Sequence, residues 1–92
     1  MFYVYILLTC NKQFYTGYTS DLKRRFDEHL NGKVKSTEYK RPVKLIHYEA
    51  YLIKSDAERR ERYLKTTEGK RFLRQQIKDL LLTLNKQNGG VG

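Results

Sequence analysis

A chain of 92 residues is long enough for one domain with a modest core and too short to divide into two domains. Nineteen Lys and Arg against ten Asp and Glu give a formal net charge of +9, which favours a polyanionic partner, either nucleic acid or an anionic membrane surface. No apolar run approaches the roughly 18 residues that span a bilayer, so nucleic acid is the preferred interpretation, with a soluble basic protein that lacks such a partner as the alternative.

Cysteine usage limits the redox chemistry of the chain. Cys10 is the only cysteine, which excludes an internal disulfide and a cysteine-based zinc cluster. A single thiol is compatible with a reducing compartment, so the cytoplasm is the predicted location.

The first predicted element is a β-hairpin. Phe2–Leu8 is apolar on both of its alternating faces, as expected for a strand that is buried on both sides. Thr9–Gln13 is a polar break, and Phe14–Tyr18 is aromatic again, so a loop of about five residues joins two strands.

The hairpin register places two phenols on one face. If Leu8 pairs with Phe14, strict alternation puts three residues on the same face: Tyr5, Tyr15 and Gly17. A glycine inside a strand often marks a place where a ligand or another backbone approaches closely.

A helix is predicted from Asp21, with Thr19 or Ser20 as its N-cap and a stop at Asn31 and Gly32. Its buried stripe recurs every four residues: Leu22, Phe26 and Leu30. Arg25 and His29 lie beside that stripe, one turn apart, and are aimed at the edge of the sheet.

The segment Gly32–Arg41 is predicted as a basic loop without periodicity, closed by Pro42. Its candidate nucleic-acid contacts are Lys33, Lys35, Lys40 and Arg41 to backbone phosphates, and Tyr39 stacking on an unpaired base. A merely solvated run of charge is the alternative. Val43–Ile53 is predicted as a third strand, with these residues on one face: Val43, Leu45, His47, Glu49 and Tyr51.

Two helices are predicted after this strand. Ser55 and Glu58 form a capping box, so a helix begins there and runs to about Lys65. A single acid, Glu61, shares its packing side. A last helix carries the residues Phe72, Leu73, Ile77, Leu80, Leu81 and Leu84 at helical spacing.

The order of elements predicts an α/β (α+β) fold, with a small three-stranded antiparallel or mixed sheet flanked by about three helices. We expect a single domain over residues 1–88 and a flexible C-terminal tail over residues 89–92.

Several segments resemble the motifs of the GIY-YIG nuclease superfamily. Tyr3–Tyr5, followed ten residues later by Tyr15–Gly17, is similar to the two signature triplets, with a tyrosine in place of the first glycine. Leu22–Arg25 with His29 is similar to the family's L-x-x-R-x-x-x-H helix.

Two further segments strengthen the resemblance. Asp56–Ala57 with Glu61 is similar to the helix that supplies the family's metal-binding glutamate, and Arg41–Leu45 is similar to the segment that enters the third strand of its small single-domain members. The resemblance runs from about residue 2 to residue 75 and extends to the N-terminal nuclease domain of the bacterial excinuclease.

The resemblance implies an endonuclease that hydrolyses phosphodiester bonds with one divalent cation, Mg²⁺ or Mn²⁺. The implied roles are catalytic phenols at Tyr5 and Tyr15, a close-packed glycine at Gly17, a phosphate-binding Arg25, a polar neighbour at His29 and a metal ligand at Glu61. Asn85 is a candidate for the late asparagine that supports the metal in some relatives, and its alignment stays open.

The chemistry of such a site is plausible for these residue types. An unperturbed tyrosine has a pKa of about 10, and Arg25 and a cation would favour the phenolate of a tyrosine beside them. Either Tyr5 or Tyr15 could be the base. Glu49 is the fallback metal ligand should Glu61 prove dispensable.

DNA is the predicted partner, with RNA not excluded, no membrane, and a monomer or weak homodimer. No long sequence recognition is expected, so cutting would depend on the structure or strand state of the substrate, with DNA repair among several open settings. The alternatives are a noncatalytic nucleic-acid-binding module on the same fold and a small protein whose basic face serves a protein partner.

Overall fold

The computed structural model of the chain describes residues 1–89, with side chains as far as residue 85. It divides into two compact units, Met1–Arg62 and a second that begins at Tyr63. A single domain over residues 1–88 stays a prediction. Gly89 of the predicted flexible tail is the last residue of a helix, and residues 90–92 lie outside the described part of the chain.

The first unit is built on a three-stranded antiparallel sheet, as predicted. The strands are β1 (Phe2–Leu8), β2 (Phe14–Thr19) and β3 (Lys44–Tyr51), in the spatial order β2-β1-β3. The central position of β1 explains its apolar character on both faces, because residues 4–8 are all buried.

The register of the hairpin is the predicted one. Leu8 lies opposite Phe14 and Tyr5 opposite Gly17. One face of β1, called the tyrosine face below, carries Tyr3, Tyr5 and Leu7, and the opposite face carries Val4, Ile6 and Leu8.

The predicted face of β3 is wrong in part, because the strand contains a β-bulge. Leu45 lies opposite Leu7 whereas His47 lies opposite Ile6, so Ile46 is an extra residue on β3. Leu45 is therefore on the tyrosine face, and Glu49, which lies opposite Val4, is on the opposite face.

Helix α1 (Leu22–Leu30) packs on the tyrosine face. Its N-cap is Asp21 rather than the predicted Thr19 or Ser20, because an Asp21 carboxylate oxygen accepts the Arg24 N–H at 3.1 Å. Thr19 instead accepts the backbone N–H of Asp21 at 3.0 Å.

The end of α1 is a Schellman motif. Gly32 has φ +73, its N–H donates to the His29 carbonyl at 3.2 Å, and the Lys33 N–H donates to the Glu28 carbonyl at 2.9 Å. Glycine is favoured here because side chains rarely adopt this φ.

The buried stripe of α1 differs from the prediction at its last member. Leu22 and Phe26 pack against the core residues Tyr5, Leu7 and Val43, but Leu30 is 44% exposed. His29 takes the buried position, since i, i+4, i+7 lies on the same helical face as i, i+4, i+8.

The basic loop is more ordered than predicted. It contains a short 3₁₀ helix, Glu38–Lys40, and buries two side chains, Val34 and Thr37. The hairpin loop contacts it through a hydrogen bond from the Cys10 N–H to the Lys40 carbonyl, at 3.0 Å. The Cys10 side chain is exposed.

Helix α2 (Lys54–Leu64) begins one residue before Ser55. The Ala57 N–H donates to the Ile53 carbonyl at 3.3 Å, which closes the first turn upstream of Ser55. The predicted capping box is therefore not the N-cap of this helix.

Two helices follow where one was predicted. Helix α3 (Thr67–Gln76) is capped by Thr66, and helix α4 (Lys78–Gly89) follows a break at Ile77, whose φ of −109 and ψ of 29 leave the helical region. Among the residues that the structure describes, no helix has both the length and the apolar character needed to cross a bilayer.

Candidate active site

Tyr5 lies at the centre of the sheet, with its side chain across Gly17. Tyr5 is only 1% exposed. A Cβ atom at position 17 would overlap Cζ and Oη of Tyr5, so only glycine leaves room for this phenol. The close approach predicted at Gly17 is thus made by the ring of Tyr5 itself.

A chain of buried hydrogen bonds leads away from the Tyr5 hydroxyl. Its oxygen lies 2.9 Å from His29 Nε2, and His29 Nδ1 lies 2.7 Å from Thr37 Oγ1. His29 and Thr37 are both fully buried. The ring centroids of Tyr5 and His29 are 5.6 Å apart in an edge-on arrangement.

The surroundings of this chain indicate the direction of its hydrogen bonds. Arg25 donates to the Tyr5 oxygen, and the Thr37 hydroxyl can donate to the Val34 carbonyl at 3.5 Å. The proton of Tyr5 is then directed at Nε2, and Nδ1–H is directed at Thr37. This arrangement requires a neutral His29 protonated at Nδ1.

The electrostatics agree with a neutral histidine. Burial lowers the pKa of His29 to about 4, and the positive charge of Arg25 acts in the same direction. The imidazole is therefore an acceptor for Tyr5 throughout the neutral range.

Tyr5 departs from the expected lowering of its pKa. Burial raises the pKa of Tyr5 to about 12, and the negative charges of Tyr15 and Glu61 add to it. The hydrogen bond and charge of Arg25 pull in the expected direction but do not outweigh burial. At pH 7 this phenol is a hydroxyl.

Tyr15 completes the aromatic cluster. Its ring centroid lies 5.1 Å from that of His29 and 6.5 Å from that of Tyr5. Its half-buried side chain accepts a hydrogen bond from Ser36 Oγ at 3.2 Å.

Ser36 and Thr37 are the site residues that sequence reasoning missed. Both come from the basic loop, in which only the lysines, Arg41 and Tyr39 had been considered. Two hydroxyl residues within a run of lysines were the sole signal, and such residues are commonly solvated.

Arg25 is placed between the tyrosine cluster and solvent. Its Nη1 donates to Glu28 at 3.2 Å, and its side chain is 38% exposed. Burial alone would lower the pKa of Arg25, but the hydrogen bonds to Tyr5 and Glu28 raise it above its usual value. The guanidinium is a permanent cation beside the Tyr5 oxygen.

The comparisons with known proteins agree with this geometry. A model of the GIY-YIG catalytic domain matches residues 1–75. The chain belongs to the GIY-YIG family. It is 43% identical to a UPF0213 protein of Staphylococcus epidermidis over 65 residues, which cover 70% of this chain and 79% of that protein.

Two other relatives extend the comparison. A UPF0213 protein of Haloquadratum walsbyi is 40% identical over 81 residues, covering 85% of this chain and 91% of the relative. The solution NMR structure of the UPF0213 protein BH0048 from Bacillus halodurans is 38% identical and has a TM-score of 0.52, with 79% of this chain and 82% of that chain covered. The predicted resemblance and α+β fold are therefore confirmed.

The GIY-YIG family implies one divalent cation, and Glu61 of α2 is the residue that could hold it. Glu61 is half-buried, and its charge raises the pKa of Tyr5, which places it within electrostatic range of that hydroxyl. Across the described residues, no group of three or more His, Cys, Asp or Glu side chains could form a complete protein cage. One carboxylate fits Mg²⁺ that shares its remaining ligands with waters and substrate phosphate.

Glu49 does not fit the fallback role of metal ligand. It lies on the opposite face of the sheet from Tyr5. Its carboxylate accepts Nε of Arg60 at 2.9 Å and Nη2 at 3.2 Å, the Tyr51 hydroxyl at 2.7 Å and Nε2 of His47 at 3.0 Å. Burial would raise the pKa of Glu49, but these hydrogen bonds lower it to about 2.

The five predicted nucleic-acid contacts of the basic loop are all exposed: Lys33, Lys35, Tyr39, Lys40 and Arg41. Arg41 also has a structural role, because its Nε donates to the Glu38 carbonyl at 3.0 Å and its Nη1 to the Leu30 carbonyl at 3.4 Å. Asn85 lies in α4, within the second unit.

Proposed function

We propose that the protein is a divalent-metal-dependent endonuclease that hydrolyses phosphodiester bonds in DNA with little sequence specificity. The observation that carries this proposal is the buried chain from Tyr5 through His29 to Thr37, beside the guanidinium of Arg25. A structural tyrosine does not need a desolvated, neutral histidine as the acceptor of its proton.

Tyr5 is the proposed general base. With a pKa of about 12, it is ionised at pH 7 to about one part in a hundred thousand, so it needs positive charge near its oxygen when water attacks. Arg25 supplies part of this charge. A divalent cation bound by Glu61 and the substrate would supply more, and would neutralise charge on the phosphoryl oxygens.

His29 orients Tyr5 rather than removing its proton. Full transfer from a phenol of pKa about 12 to an imidazole of pKa about 4 is unfavourable. By accepting the hydroxyl proton, His29 leaves a lone pair of the oxygen directed away from the helix, where a water can donate to it.

Arg25 and Tyr15 hold the other reactants in this proposal. The planar fork of Arg25 can grip two phosphate oxygens, and its partly exposed side chain is accessible to them. Tyr15 orients the attacking water or the phosphate through its hydroxyl, and its role and that of Tyr5 could be exchanged.

The deciding experiment is cleavage of labelled single-stranded, duplex and branched DNA, and of RNA, with Mg²⁺ or Mn²⁺. We expect metal-dependent cutting by the wild type and none by Glu61→Gln. Wild-type rates in that variant would reject the assignment of Glu61.

A noncatalytic nucleic-acid-binding module on the same fold is the second candidate, and the raised pKa of Tyr5 favours it. Salt-sensitive binding without cleavage under every metal condition would establish it. The cytoplasmic location, the monomeric or weakly dimeric state and a role in DNA repair belong to the same proposal and need separate tests by fractionation, sedimentation and gene deletion.

A further inference from the structure

A cleft of about 540 Å³ lies on the tyrosine face, next to the candidate active site. Its lining includes three aromatic rings, those of Tyr3, Phe26 and Tyr48, together with Leu45. The ring centroids of Tyr3 and Tyr48 are 6.2 Å apart in an edge-on arrangement, and Tyr48 is 54% exposed. The cleft is therefore an open, largely aromatic surface.

The bulge in β3 forms one wall of this cleft. In a regular strand, Leu45 and Tyr48 would point to opposite faces, because they are three residues apart. The extra residue Ile46 brings both side chains to the tyrosine face. Bulges often re-aim side chains next to active sites.

The cleft is continuous with the active site. Tyr3 precedes Tyr5 by two residues on the same face of β1, which separates their Cα atoms by about 7 Å. On α1, Phe26 directly follows Arg25. A ligand in the cleft would therefore be bound within about one nucleotide of a phosphate at Tyr5 and Arg25.

The chemistry of the lining favours a base over a phosphate. Ring faces stack on nucleobases of any sequence, whereas an anion would meet the carboxylate of Asp21 at the rim. Lys23, also at the rim, is exposed and can contact the neighbouring backbone phosphate.

We propose that this cleft binds one unstacked nucleobase of the cleaved strand, next to the scissile phosphate. The inference rests on the proposed nuclease function and names its substrate class. The preferred substrate is a strand with an unpaired base beside the cut, as in single strands, flaps and mismatches, because a base in continuous duplex is not available for stacking on the cleft.

The test is binding, measured without catalysis. Fluorescence anisotropy in EDTA gives the affinity for a labelled single-stranded DNA and for the matching duplex. Tyr48→Leu should weaken single-strand binding about tenfold through loss of stacking, and should leave duplex binding within about twofold. Tyr48→Phe, which keeps the ring, should bind both like the wild type.

Two further measurements make the outcome specific. Tyr39→Leu removes the other exposed aromatic predicted to stack, and should cost less single-strand affinity than Tyr48→Leu. Circular dichroism melting checks that the variants fold, as expected for a half-exposed position.

Unchanged single-strand binding by Tyr48→Leu would overturn the proposal, as would an equal loss on duplex, or a loss caused by Tyr39→Leu alone. Concentration-dependent self-association that Tyr48→Leu abolishes without affecting DNA binding would instead identify the cleft as a contact between copies. Because the assay contains no metal, an active nuclease with unaltered binding would reject the cleft alone. Weakened binding by a protein that never cleaves would reject the nuclease alone.

Discussion

At the scale of single residues, the state of Tyr5 results from competing effects of burial and charge. Burial raises its pKa to about 12 even though Arg25 is within hydrogen-bonding distance. The same burial makes His29 neutral and lets it orient the Tyr5 hydroxyl. Gly17 makes the arrangement sterically possible, because any side chain there would occupy the volume of the phenol.

Tyr5→Phe tests the role of the hydroxyl directly. The change removes one oxygen and leaves the packing nearly intact, so folding and DNA binding should persist. Cleavage measured under single-turnover conditions should fall by a factor of about 10² or more. Tyr18→Phe, a half-buried strand tyrosine on the opposite face, is the matched control and should cut normally. Undiminished cutting by Tyr5→Phe would reject the base.

Thr37→Val tests how His29 is oriented. Valine matches threonine in shape but cannot accept the Nδ1–H, which leaves a buried donor unpaired at a cost of about 1 to 3 kcal/mol of unfolding free energy. Cleavage should fall with little change in substrate affinity, and Thr37→Ser should restore both. An equal defect in the serine variant would indicate that packing, not the hydrogen bond, is responsible.

At the scale of secondary-structure elements, two features connect the sheet to the residues that act on substrate. The basic loop contributes Ser36 and Thr37 to the tyrosine cluster. The pair of Glu49 and Arg60 joins β3 to α2 in a two-pronged ion pair, one residue before the candidate metal ligand Glu61. Both connections bring polar groups from distant segments into fixed positions.

Glu49→Gln tests whether that ion pair positions α2. Gln keeps the shape and loses the charge, so we expect a loss of about 1 to 2 kcal/mol in unfolding free energy for this partly exposed pair. We also expect cleavage to need a higher Mg²⁺ concentration. Asp56→Asn, which breaks the exposed pair with Arg59 on the same helix, should change stability by less than about 0.5 kcal/mol. Equal effects of the two variants would contradict a positioning role.

At the scale of the whole molecule, five separate stretches of chain supply the candidate site. Residues from β1, β2, α1, the basic loop and α2 meet around the Tyr5 hydroxyl, all within the first compact unit. The formal charge of +9 describes the chain as a whole and favours binding to a polyanion without selecting a sequence. Stability and site chemistry are coupled through the same buried histidine.

That coupling predicts acid sensitivity above the range of ordinary carboxylates. The pKa of His29 is about 4 in the folded state against about 6.5 when unfolded. The unfolded chain binds the extra proton first, so its contribution is complete above pH 6.5 and is lost as the pH falls toward 4. Urea titrations should show a loss on the order of 3 kcal/mol between pH 7 and pH 4.

His29→Gln should remove most of this dependence on pH. A wild-type unfolding free energy that stays constant from pH 7 to pH 4 would contradict the buried neutral histidine. The lowered pKa of Glu49, about 2, adds a further loss only as the pH falls below about 4.5.

The hairpin and the candidate site were largely readable from local pattern. Alternation and a five-residue loop predicted that Leu8 faces Phe14, which places Tyr5 over Gly17. Helical spacing placed Arg25 and His29 on one edge of α1. These features depend on neighbours within one or two elements, where backbone periodicity decides which side chains meet.

Other features depend on contacts that no local pattern contains. The bulge at Ile46 reassigns the faces of β3, and the cap of α1 and the break at Ile77 depend on competition between nearly equivalent residues. Residue pattern alone was enough for the family, the hairpin register and the chemical groups of the site. The orientation of His29 by Thr37, and the dominance of burial over Arg25 at Tyr5, emerged from the folded chain, because both depend on how deeply distant segments bury one another.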